Sequence, residues 1–78
     1  MRAESTVGLK MNVEKINLDA LIALLPSLQK PTVADLSDKE WVAIEVIVEE
    51  KIVRDIIPKL KKSGARGIVE YPLNKVID

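Results

Sequence analysis

From Trp41 to Val48 the chain reads Trp-Val-Ala-Ile-Glu-Val-Ile-Val, a β-branched run whose two alternating faces are both largely apolar. Val42, Ile44, Val46 and Val48 fall on one side, and Trp41, Ala43, Glu45 and Ile47 on the other. A sheet packed on one side hides only one face of each strand, so a strand with a second apolar face calls for a second covering surface. A chain of 78 residues hides only about 60% of its unfolded surface. Cysteine is absent and no disulfide can compensate, so self-association is the expected source of further stability.

The remaining elements follow from periodicity. Val7, Leu9, Met11 and Val13 alternate with Thr6, Gly8, Lys10 and Asn12, the pattern of a half-buried first strand after a loose or junctional Met1 to Ser5. Asn17 is placed to cap a short helix from Leu18, with Ile16 and Leu21 at staple spacing and Pro26 ending the ladder. Its buried side would be Leu18, Leu21, Ile22 and Leu25. Thr32 to Leu36 then reads as a short second strand, joined through the turn composition of Ser37 to Glu40 to the third strand at Trp41. Between Glu50 and Lys62, Ile52, Val53, Ile56, Ile57 and Leu60 recur at helical spacing, although Pro58 removes one bond to the Arg54 carbonyl. Gly64 suits a left-handed cap. Gly67 to Tyr71 is a last strand ended by Pro72, and Leu73 to Asp78 is a tail expected to pack.

Strand, helix, strand, strand, helix, strand is the split βαβ order of an α+β ferredoxin-like sandwich, with two helices on one face of a four-stranded antiparallel sheet. Residues 1–78 are thus expected to form one domain. The apolar back of the third strand, Trp41, Ala43 and Ile47, would lie on the uncovered face, where an interface is expected.

Composition narrows the chemistry. With no His and no Cys, the usual zinc ligands, Cys nucleophiles and histidine bases are missing. Twelve basic and twelve acidic residues cancel, so no overall field draws the domain to nucleic acid or an anionic membrane. The apolar stretch Leu18 to Leu25 is too short to cross a bilayer and no signal-peptide core follows Met1, which reads as a cytoplasmic protein. An RNA-binding sheet would need stacked aromatics where the third strand has Glu45 and Ile47, a metallochaperone would need cysteines, and Gly8 with Asn12 does not make an acyl-phosphatase anion loop. Arg54, Lys59, Lys61, Lys62 and Arg66 could hold an anion or simply form a solvated face. Gly64-Ala65-Arg66-Gly67 could cradle a carboxylate; a helix cap with a turn explains Gly64 fully and Gly67 less well, and both readings of Gly67 stand.

In order and spacing, Asn17-Leu18-Asp19, Leu24-Leu25-Pro26, Pro31-Thr32-Val33, Trp41-Val42-Ala43-Ile44 and Leu60-Lys61-Lys62-Ser63-Gly64-Ala65-Arg66-Gly67-Ile68-Val69 resemble the C-terminal regulatory domain of long-form ATP phosphoribosyltransferase. The resemblance runs from about Ser5 to Ile77. It implies a non-catalytic module of histidine biosynthesis that binds L-histidine, conveys feedback inhibition to separate catalytic domains, and meets its copies in a trimeric or hexameric context. By position it places the ligand near Asn12, Leu28, Thr32, Ile47 and Gly67. It implies no cofactor in this segment, magnesium belonging to the catalytic domains. Some relatives carry an acid at position 12; Asn12 accepts a hydrogen bond but supplies no charge for the ligand's ammonium. A structural oligomerisation domain without ligand is the alternative.

Overall fold

The computed structural model describes residues 6–25 and 30–73. The expected positions Leu28 and Pro26, the leading five residues and the tail beyond Leu73 lie outside them. Two long strands, β1 (Thr6–Glu14) and β3 (Trp41–Glu49), pair antiparallel along their whole length, from Thr6 opposite Glu49 to Glu14 opposite Trp41. The short β2 (Thr32–Asp35) flanks β3 and β4 (Arg66–Pro72) flanks β1, both antiparallel, giving the sheet order β2-β3-β1-β4. With α1 (Leu18–Ile22) after β1 and α2 (Glu50–Lys62) after β3, this is the ferredoxin-like split βαβ sandwich that the periodicity predicts.

The two faces sort by strand parity. Val7, Leu9, Met11 and Val13 of β1 and Val42, Ile44, Val46 and Val48 of β3 are buried, and they share one cluster with Leu21 of α1, Val53, Ile56 and Leu60 of α2, and Ala65. Among the described residues no buried polar or charged side chain interrupts it. Against this aliphatic core α2 presents one stripe, while Arg54 and Pro58 are exposed. Pro58 and Arg54, whose carbonyl it leaves without a helical partner, thus lie on the solvent side of α2, where water can satisfy that group. The helix closes as a Schellman cap, the Ala65 N–H donating to the Leu60 carbonyl at 3.0 Å and the Gly64 N–H to that of Lys61 at 3.1 Å. Among the described residues no helix is long and apolar enough to cross a membrane.

The β2–β3 turn forms by local side-chain chemistry. Asp38 accepts the Glu40 N–H at 3.0 Å through its carboxylate, and its carbonyl accepts the Trp41 N–H at 3.0 Å.

Four local expectations are corrected. A 3-10 turn, Lys15–Asn17, precedes α1, so Ile16 is inside a turn and not ahead of a cap. It is 87% exposed and staples nothing. Asn17 makes no side-chain capping bond; its amide instead packs beside Gly64, where an added Cβ would stand 2.9 Å from its nitrogen. The short α1 buries only Leu21, with Leu18 and Leu25 packed at the edge of the core. Finally, Gly67 needs neither a helix cap nor a close neighbour. Between Lys10 opposite Val69 and Asn12 opposite Arg66, two residues of β4 face one of β1. Gly67 takes φ +60° in this bulge, and an added Cβ there would meet nothing within 4 Å.

Candidate functional site on the open sheet face

Parity places Gly8, Lys10 and Asn12 of β1 on the face away from the helices, with Trp41, Ala43, Glu45 and Ile47 of β3 beside them. The register aligns these residues in rows. Thr32 stands opposite Glu45, and Glu45 opposite Lys10; Ala34 stands opposite Ala43, and Ala43 opposite Asn12. On the far strand Tyr71 stands opposite Gly8 and Val69 opposite Lys10. Val69 is 53% exposed, while Trp41, Ala43, Ile47 and Tyr71 are half-buried.

An open depression of about 310 Å³ lies on this face, lined by Lys30, Thr32, Glu45, Val46, Ile47, Tyr71 and Leu73. Its centre is built by one cross-strand device. Gly8 lacks a side chain, and the Tyr71 ring occupies the space its Cβ would fill. The ring is thereby laid across β1, and its hydroxyl donates to the Glu45 carboxylate on β3. An aromatic lying over a strand glycine recovers the packing that glycine omits. Any side chain at position 8 would lift the ring and part it from Glu45.

That hydrogen bond raises the Tyr71 phenol above its ordinary value of 10.0, with burial and the Glu45 negative charge adding in the same direction. The protonated phenol is the form the fold favours. Its contribution to stability is present below the unfolded-state value and is lost as pH rises through the raised folded value. Tyr71 is the single tyrosine of the chain, so its phenolate absorbance can be followed without overlap from another. We predict a midpoint above pH 10 in the parent and a lower one in Glu45→Gln. A parent midpoint at or below the ordinary value would show that the bond does not persist in solution.

Of the residues expected to hold a ligand, Thr32 and Ile47 meet in this depression. Asn12 shares the face but lies two strands and one same-face pair away from Thr32, about 12 Å from standard strand spacings. Gly67 adjoins Asn12 at the bulge, and Leu28 is outside the described residues. The expected interface residues Trp41, Ala43 and Ile47 share the open face. Reading along the sequence missed Lys30, Glu45 and Tyr71 as site residues. The available signals were a lone acid between Ala43 and Ile47 on an otherwise apolar face, and a glycine in β1 able to accept an aromatic from a neighbouring strand.

A second, larger hollow of about 390 Å³ runs between the helices, lined by Ala23, Leu24, Ile52, Asp55, Ile56 and Lys59. Of the expected ligand residues that are described, Asn12, Thr32, Ile47 and Gly67, none lines it. Among the described residues no group of three or more acidic side chains is arranged to hold a metal ion.

Fold and face together define a class: a split βαβ sandwich whose helices cover one side of the sheet and whose other side carries a small depression where Lys30, Thr32 and Glu45 meet aliphatic and aromatic side chains. Residues 3–75 match the family model described as "HisG, C-terminal domain". The chain belongs to this HisG C-terminal domain family. It is similar to proteins named ATP phosphoribosyltransferase, with 60% identity over 77 residues in Nitratidesulfovibrio vulgaris and 56% over 78 residues in Chlorobaculum parvum. A third, from Pelotomaculum thermopropionicum, is 54% identical over 77 residues. These alignments cover 99%, 100% and 99% of this chain but only 26%, 26% and 27% of the relatives. The chain thus spans about a quarter of the length of the curated relatives it matches.

Proposed function

We propose that this chain is a non-catalytic regulatory module of histidine biosynthesis that binds L-histidine and passes feedback inhibition to the catalytic domains of an ATP phosphoribosyltransferase. The supporting observation is that Thr32 and Ile47, named by the family resemblance, converge with Glu45 and Tyr71 on one depression of the open face. A free amino acid needs an acceptor for its ammonium, a partner for its carboxylate and an apolar wall, and this depression has hydroxyl, carboxylate, amine and aliphatic groups. Occupancy inhibits only if histidine binds one arrangement of subunits more tightly than another. A trimeric or hexameric assembly that brings neighbouring copies together on this face supplies that linkage, and would carry Asn12 and Gly67 toward the same ligand.

Calorimetric titration with L-histidine tests the proposal. Heat of binding is expected for the parent chain, and Thr32→Ala is expected to weaken affinity about fivefold, the worth of one hydrogen bond, with an unchanged unfolding midpoint. No heat and no chemical-shift change at millimolar histidine in the assembled state would refute histidine binding. Unchanged affinity in Thr32→Ala would move the site elsewhere.

A purely structural oligomerisation domain is the second reading. It is favoured by Trp41, Ala43, Ile47 and Val69 standing partly exposed on one face. Sedimentation separates it, since a strict monomer at high concentration removes it.

A further inference from the structure

We propose that the open-face depression recognises an α-amino acid as a zwitterion, with Glu45 taking the ammonium and Lys30 the carboxylate. This inference rests on the ligand-binding reading above and adds to it a specificity-determining pair that the family resemblance does not name.

Three observations carry it. Glu45 and Lys30 bring opposite charges to the rim of one small hollow whose other walls include Ile47, Leu73 and the Tyr71 ring. Glu45 is held in place there, because Tyr71 donates to its Oε2, leaving Oε1 to accept from a ligand; a carboxylate has about four acceptor sites. Lastly, the ion pairs among the described residues are Lys15–Asp35 and Lys51–Glu49. Neither involves Glu45, and Lys10, directly opposite it in the register, is not paired with it. A preplaced carboxylate without a described cationic partner is suited to an incoming ammonium, and a charge-assisted bond is about twice as strong as a neutral one. Thr32, beside Glu45, offers a hydroxyl to either end of the ligand.

Binding is read by amide chemical shifts of the isotope-labelled 78-residue chain, with three probes: L-histidine, its analogue lacking the amino group (imidazolepropionate), and its analogue lacking the carboxylate (histidinol). Glu45→Gln keeps an acceptor for Tyr71 and removes only the charge. It is expected to weaken L-histidine at least about tenfold while leaving imidazolepropionate within about twofold of the parent, with the dispersion of the spectrum preserved. Lys30→Gln is expected to weaken L-histidine and leave histidinol unaffected. Equal L-histidine affinity in the parent and Glu45→Gln overturns this inference and leaves the histidine reading standing. If another amino acid shifts Thr32, Glu45 and Ile47 in a Glu45-dependent way and histidine does not, the zwitterion site is upheld and the histidine reading fails. No shift at these residues with any amino acid at millimolar concentration overturns both.

Discussion

Leu60→Ala is expected to lower the unfolding free energy by about 3 kcal/mol, the middle of the range for truncating a fully buried leucine. Leu60 is 0% exposed, and it joins α2 to the strand residues in the one aliphatic cluster that holds the sheet and helices together. The cost has two parts. Burial of the removed methyl groups is lost, and the cavity cannot collapse fully because Leu9, Val48 and Leu21 around the same core are themselves 0% exposed in fixed elements. A small domain has only about 5–15 kcal/mol of stability, so the variant should unfold at a much lower urea concentration with an unchanged slope. Circular dichroism measures this. A loss below about 1 kcal/mol would mean that α2 packs more loosely on the sheet than its burial indicates.

Trp41→Glu is the second large effect, and it acts on the opposite face. Trp41 is half-buried at the start of β3 and pairs with Glu14 across the β1–β3 register. A glutamate there removes a large apolar surface and sets two like charges directly opposite each other, which destabilises a cross-strand pair. The expected outcome is loss of assembly together with about 1–2 kcal/mol of fold stability. Sedimentation and circular dichroism are the readouts, since the variant loses the chain's single tryptophan and with it the fluorescence probe. A soluble oligomer indistinguishable from the parent would show that the open face is not covered at Trp41.

The two variants divide the sequence along the line at which it was legible. Elements with a strict period were readable: the alternation of Val7 to Val13 and Val42 to Val48 marks the strands, and Ile52 to Leu60 marks α2 with its termini, because burial of one face imposes the period. The hairpin and the Gly64 cap were readable because their chemistry is local. Ile16 was not. Staple spacing assumes that the chain enters a helix directly, whereas a 3-10 turn rotates Ile16 into solvent. Gly67 was flagged without its cause, since a bulge exists only relative to the partner strand, and nothing within β4 itself reveals that two of its residues oppose Met11.

The candidate site was less legible for the same reason. Thr32 and Ile47 came from a family resemblance, but their relation to Glu45 and Tyr71 depends on three registers at once: Thr32 opposite Glu45, Gly8 opposite Ile47, and Gly8 opposite Tyr71. The Tyr71–Glu45 bond spans 26 positions, beyond any local pattern. Asn12, read as a ligand residue along with Thr32, lies on the same face but in a different row, so a single copy does not bring both to one small molecule. Glu45, set between Ala43 and Ile47 on an apolar strand face, becomes intelligible once Gly8 admits the tyrosine ring.

The most direct measurement is a map of amide chemical shifts on adding L-histidine to the isotope-labelled chain. The account predicts perturbations concentrated on Thr32, Glu45, Ile47 and Tyr71, with Leu60 and Val53 on the helix side undisturbed. Perturbations centred on Ala23, Ile52 and Lys59 in the hollow between the helices, or none at millimolar histidine, would contradict it.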